Sequence, residues 1–196
     1  MEYCYKLNVP DFLDICKEGW EQNLTYDGLN KLPVLIPSEL VLKKEFLTFN
    51  NYDWSTVIRF PLMPFDKTDI HSDNYDSTID ENCENPKFIL FTINYLVKGT
   101  GRIDYYLPSQ LESYYFDPDN PYKQKNWITK QNPYKSYEMS HGAYLLNVTI
   151  PHKVTAYEER LVISIRPSLI PGKGFEKYNK KTWEDIVNSF DNYIIK

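Results

Sequence analysis

The sequence predicts a mainly β domain whose antiparallel core is braced by helices towards both chain ends. Three observations predict it. From residue 54 onward, runs rich in β-branched and aromatic residues recur between Gly, Pro, Asn and Asp, the composition of strands and their turns. Helix signals fall on either side of these runs. Two of the links between these runs, at 98–101 and 152–159, are short, as antiparallel pairing allows. One core can still cover 196 residues and no linker divides them. Residues 1–196 therefore read as a single domain, with its core at about 54–167 and helical or irregular flanks at 1–53 and 168–196.

Taken in order, residues 10–20 predict a short helix: Pro10 suits a first turn, Asp11 favours its positive end, and Phe12, Ile15 and Cys16 share a face. Residues 23–53 mix turn residues with the apolar patch LPVLIP, and Ser38 is placed to cap a second short helix, SELVLKKEF. Strands follow at 57–63 (VIRFPLM), 87–97 (KFILFTINYLV), 101–107 (GRIDYYL), 143–150 (AYLLNVTI) and 160–165 (RLVISI). Residues 98–101 (KGTG) read as a hairpin loop, and 152–159 as the connection between the last two runs. The final helix carries the clearest signal: Thr182 caps it with Asp185 three residues on, and Trp183, Ile186, Val187, Phe190 and Ile194 form one stripe. A sheet core with helices at both ends is the architecture that includes jelly rolls and cupins.

A formal net charge of −5 leaves no basic stripe, which disfavours strong nucleic-acid binding. Cys4, Cys16 and Cys83 are odd in number and lack the paired spacing of a zinc site, so they read as structural thiols in a reducing compartment. The first residues have no basic and then apolar signal-peptide pattern, and no apolar run is long enough for a bilayer. The expected setting is cytoplasmic, with no membrane partner. Two sequons, at Asn23 and Asn147, carry no meaning without secretion.

The chemistry concentrates in DIHSD at 69–73 and IPHKVTAYEERLVISIR at 150–166. Residues two apart on an extended chain point to one side, so His71 can share a metal with Asp73, and equally with Asp69. His152, following a strand, is the natural third ligand, with His141 the other histidine within reach of the argument. Two histidines and a carboxylate on one face of an octahedron leave positions open, the arrangement of non-haem Fe(II) oxygenases. On the last strand, Arg160, Val162, Ser164 and Arg166 share a face, opposite Leu161, Ile163 and Ile165. A guanidinium there suits the far carboxylate of an oxo-acid bound to the metal. Thr92 and Asn94 likewise share a face in an apolar strand, which makes Asn94 a candidate contact for cosubstrate or substrate.

The order HSD, FTINYLVKGTGRIDYY, IPHKV and ERLVISIRP resembles the 2-oxoglutarate- and Fe(II)-dependent dioxygenases over roughly residues 54–167. The resemblance implies a double-stranded β-helix, with His71, Asp73 and His152 binding Fe(II) and Arg160 holding 2-oxoglutarate. It selects Asp73 over Asp69. Many members carry Ser or Thr two residues after the arginine, whereas Val162 stands there and Ser164 comes two positions later, so Arg166 stays beside Arg160 as an anchor candidate. The implied activity is hydroxylation of an unactivated C–H with O2, on an amino acid, peptide side chain, nucleobase or small metabolite. The alternative is a non-catalytic binding or structural module on the same fold. The Tyr-rich segment 108–142, with NPYK at 120–123 and again at 132–135, reads as a long loop closing over the metal or packing on the rim. The sequence leaves the oligomeric state open.

Overall fold

The computed structural model describes residues 2–20, 34–73, 91–116, 125–167 and 181–196. The described residues form two six-stranded sheets, in which every strand pair is antiparallel. The strands are β1 (Cys4–Leu7), β2 (Val34–Pro37), β3 (Trp54–Leu62), β4 (Ile70–His71), β5 (Phe91–Lys98), β6 (Gly101–Tyr105), β7 (Ser113–Phe116), β8 (Lys125–Ile128), β9 (Lys135–Met139), β10 (Gly142–Asn147), β11 (His152–Ala156) and β12 (Arg160–Pro167). One sheet runs β1-β10-β5-β12-β3-β2 and the other β7-β8-β4-β11-β6-β9. The eight strands β3 to β6 and β9 to β12 pass from one sheet to the other at nearly every step. That winding makes a double-stranded β-helix, or jelly roll.

Strand parity sorts the side chains. Towards the outer face of the first sheet, Val57, Phe91, Ile93, Tyr95, Leu145, Ile163 and Ile165 are buried against Phe12, Ile15, Val41, Leu42, Trp183, Ile186 and Phe190. Between the sheets lie Leu96, Tyr144, Leu146 and Val162, which meet Ile103, Tyr105 and Met139. Burying a large apolar side chain in this way contributes about 1.5–3 kcal/mol. The amino-terminal arm joins the sheets along one seam: the carbonyl of Tyr3 accepts from Asn147 N–H at 2.9 Å and from the Tyr105 hydroxyl at 3.2 Å, while its N–H donates to Tyr137 at 3.0 Å. Strands β1 and β2, from the flank preceding residue 54, thus extend the first sheet.

Several local expectations change. The helix expected at 10–20 is a single turn, α1 (Phe12–Ile15), because Cys16 leaves it to bridge Leu42. The turn α2 (Ser38–Val41) does form, but the Ser38 hydroxyl donates to the Trp54 carbonyl instead of capping it. Residues 98–101 are not a hairpin: β5 and β6 lie in different sheets, so this link is a sheet-to-sheet crossing. Residues 152–156 form a core strand, not a connection. The segment expected as a long loop contributes β7, β8 and β9, while 117–124, with the first NPYK, lie outside the described residues. Cys83, Asn23 and the acidic stretch after residue 73 also lie outside them. The last helix, α3 (Trp183–Ser189), begins at Thr182 with a reciprocal capping box to Asp185, as its sequence predicts. Among the described residues no helix is long and apolar enough to cross a membrane.

The crossing at 98–101 depends on a glycine. Gly99 adopts φ +80°, and a Cβ there would drive into the Glu159 carbonyl of the turn between β11 and β12. Gly99→Ala is expected to cost about 2 kcal/mol or more and to lower the thermal midpoint by about 4–8 °C, which scanning calorimetry would read.

Candidate metal centre

Strand β4 is only two residues long and is held from both sides, by β11 with His152 opposite His71 and by β8 with Asn126 opposite His71. Directly paired residues emerge on the same face. The two imidazoles accordingly stand with ring centroids 4.5 Å apart on the interior side. Beyond β4, the N–H of Asp73 donates to the Val148 carbonyl at 2.9 Å, which turns its side chain towards the same point. Ligand atoms of His71, Asp73 and His152 lie within 4.8 Å of one another.

Each ring is oriented by its neighbour two residues back: Nδ1 of His71 meets the Asp69 carbonyl at 2.8 Å, and Nδ1 of His152 meets the Ile150 carbonyl at 2.9 Å. A carbonyl partner requires Nδ1 to carry the proton. Both Nε2 lone pairs are therefore left for a metal. Burial, reinforced by His71, pushes His152 down to about 4, so it is neutral near pH 7. Burial alone would raise the Asp73 carboxyl, but the Arg166 guanidinium, with His152 and His71 behind it, outweighs that and holds it below its ordinary value. A neutral imidazole at His152 and an ionised carboxylate at Asp73 are donor states a divalent ion needs, so the three residues fit a divalent metal.

The choice between Asp69 and Asp73 is resolved by roles: Asp69 supplies a backbone carbonyl and has an exposed side chain, while Asp73 brings its carboxylate to the cluster. His141 does not join; it is surface-exposed and sits 3.4 Å from Asp11.

The two arginines of β12 share the interior face but differ in circumstance. Arg166 donates to Asp73 Oδ2 at 2.7 Å, with both side chains 11% exposed. Arg160 is 3% exposed; among the described residues its guanidinium meets only the Met139 sulfur, at 3.5 Å, and has no carboxylate partner. Burial drags its guanidinium down to about 10. Between them lies a polar row: Ser164, 1% exposed with its hydroxyl unpartnered, is opposite Asn94, whose amide oxygen accepts from Thr92 at 3.0 Å. Every interior group here that lacks a partner can donate a hydrogen bond, which suits an anion.

Sequence reasoning missed Met139, the contact of Arg160; Tyr105, opposite His152 with ring centroids 5.7 Å apart; and Asn126, opposite His71. No signal in the sequence marks them, since their importance comes entirely from pairing across the sheet.

No protein-family profile and no curated protein sequence matches this chain. Among solved structures it is similar to E. coli ycfD, at 12% identity and TM-score 0.40, over 78% of this chain and 38% of that one. It is also similar to the coconut allergen cocosin, at 14% and 0.38 over 85% of this chain and 35% of that one, and to hazelnut vicilin, at 12% and 0.37 over 83% and 38%. The chain thus spans well under half the length of each. At this similarity none of them bears on chemistry, and the jelly roll is assigned on its own strand order.

Arg166→Leu would leave Asp73 buried without its counter-charge, an expected loss of about 3 kcal/mol at pH 7 in metal-free protein. The Asp73 carboxyl is lowered by folding, so this stabilisation is complete above the ordinary carboxylate value of 3.8 and fades as the pH falls through the folded value. Urea denaturation of both proteins at neutral and acidic pH reads the narrowing gap. Arg160→Met should behave in the opposite sense, stabilising the ligand-free protein by about 1–3 kcal/mol by removing an unpaired buried cation.

Proposed function

We propose that this protein is an Fe(II)- and 2-oxoglutarate-dependent oxygenase that hydroxylates an unactivated C–H bond. The observation that carries the reading is Arg160: a buried guanidinium with no carboxylate partner among the described residues, in the same interior as two histidines and an aspartate grouped for a divalent metal. A protein bears the desolvation of such a cation when a ligand completes it.

His71, Asp73 and His152 would hold the iron. Arg160 would take the distal carboxylate of 2-oxoglutarate in a bidentate pair, with Ser164 and Asn94 offering further hydrogen bonds along its length. Arg166 keeps Asp73 ionised and turned towards the histidines, leaving Oδ1 3.6 Å from His71 Nε2. The apolar residues Leu96, Val162, Ile103 and Leu146 exclude water around the cosubstrate and strengthen the Arg160 pair. Iron with 2-oxoglutarate would activate O2, one oxygen atom going to the C–H that is hydroxylated and the other to the succinate formed as 2-oxoglutarate loses CO2, and the chain supplies binding, orientation and a dry interior.

Anaerobic addition of Fe(II) and then 2-oxoglutarate to the purified protein is expected to produce a visible metal-to-ligand charge-transfer band, followed by slow succinate formation on admitting air. Arg160→Met should keep Fe(II) binding and lose the band by at least tenfold in 2-oxoglutarate affinity. Neither band nor succinate in the wild type would remove the oxygenase reading and leave a binding module on the jelly-roll fold.

A further inference from the structure

We propose that Met139 is a latch on the cosubstrate anchor: its thioether holds the Arg160 guanidinium in the ligand-free protein and swings aside when a dicarboxylic oxo-acid is taken there. This rests on the oxygenase reading above. Nη2 of Arg160 donates to Met139 Sδ at 3.5 Å, and the two residues are 3% and 2% exposed. Among the described residues this sulfur is the guanidinium's one hydrogen-bond partner, and Nε of the same group has none.

A guanidinium takes a carboxylate bidentately on one of two edges, through Nε and Nη2 or through Nη1 and Nη2. Nη2 belongs to both edges, and the thioether fills one of its two donor positions. A thioether is a weak acceptor, so it satisfies little of a buried cation while keeping a better acceptor out of the place it fills. The surroundings let it move. Met139 is the last residue of β9, at the edge of its sheet, and stands opposite Gly101 of β6, so no side chain directly across the pair pins it. The same glycine lets the arginine stem pass close by, since a Cβ on it would lie 3.4 Å from Cδ of Arg160. An unbranched side chain with three rotatable bonds can leave the guanidinium from such a position without a backbone shift. The latch ties stability to affinity. A stronger contact at residue 139 stabilises the empty protein and weakens cosubstrate binding, and a weaker contact does the reverse. A methionine that only packed the core would not couple the two with opposite sign.

The test uses two variants of similar volume: Met139→Leu removes the acceptor, and Met139→Gln supplies a strong one. Each is compared with the wild type by its thermal midpoint without ligand, and by anaerobic calorimetric titration of 2-oxoglutarate and of pyruvate into the Fe(II)-loaded protein. Pyruvate has the oxo-acid end without the distal carboxylate. Met139→Leu is expected to melt lower than the wild type and to bind 2-oxoglutarate about two- to fivefold more tightly. Met139→Gln is expected to melt higher and to bind it at least about tenfold more weakly. Pyruvate affinity should be the same in all three proteins. Variants that bind 2-oxoglutarate like the wild type, variants that both bind it more weakly, midpoints that move in the same sense as the affinities, or a pyruvate affinity that follows that of 2-oxoglutarate would each overturn the latch. A wild type that takes up no 2-oxoglutarate would overturn it too. The oxygenase reading fails separately, when 2-oxoglutarate binds but neither the charge-transfer band nor succinate appears.

Discussion

The site depends on a single in-register contact, His71 opposite His152 across β4 and β11. Directly paired residues in an antiparallel ladder project on the same side, so this pairing alone brings together two imidazoles from distant parts of the chain. A strand of two residues has little hold of its own. It is kept in place by β11 on one edge and β8 on the other, and by the Asp73 N–H on the Val148 carbonyl just beyond it. A slip of one residue in β4 would turn His71 outward and put Ile70 in its place. The jelly roll makes that slip expensive, because β11 on one edge of β4 is itself paired along its whole length with β6.

Among the described residues, the interior face of β12 carries two buried guanidiniums, Arg160 and Arg166. Arg166 is paired, and the pair holds the Asp73 carboxylate ionised in surroundings that would otherwise favour its protonated form. Arg160, among the described residues, has only a methionine sulfur for a partner. A lone buried cation weakens the empty protein, and any anion that completes it is stabilising in proportion to its occupancy. Stability and ligand affinity are thereby set against each other at one residue, Arg160.

Parts of this were legible beforehand because they are local. Alternation in RLVISIR placed Arg160, Ser164 and Arg166 on one face and the isoleucines on the other, and the sheets use those faces as the alternation requires. Thr182 with Asp185 announced the last helix for the same reason, since a capping box spans only four residues. Where the reading failed, a distant partner had decided the matter. The short link at Gly99 looks like a hairpin but joins strands of different sheets, because the chain winds between sheets instead of doubling back. Cys16 leaves its helix to bridge Leu42, and Ser38 turns its hydroxyl to Trp54. In each case a tertiary contact outbid a weak local preference.

By itself the sequence determined the strand-rich class, the polar face of the last strand and the HxD spacing, since periodicities of two and four residues are properties of a single extended or helical segment. Only the tertiary structure decided which aspartate faces the histidines, which arginine pairs with it, and that Asn126 of a supposed loop stands opposite His71. Those outcomes belong to register between strands far apart in the chain. Register is set by the packing of the whole sandwich, and no local pattern encodes it.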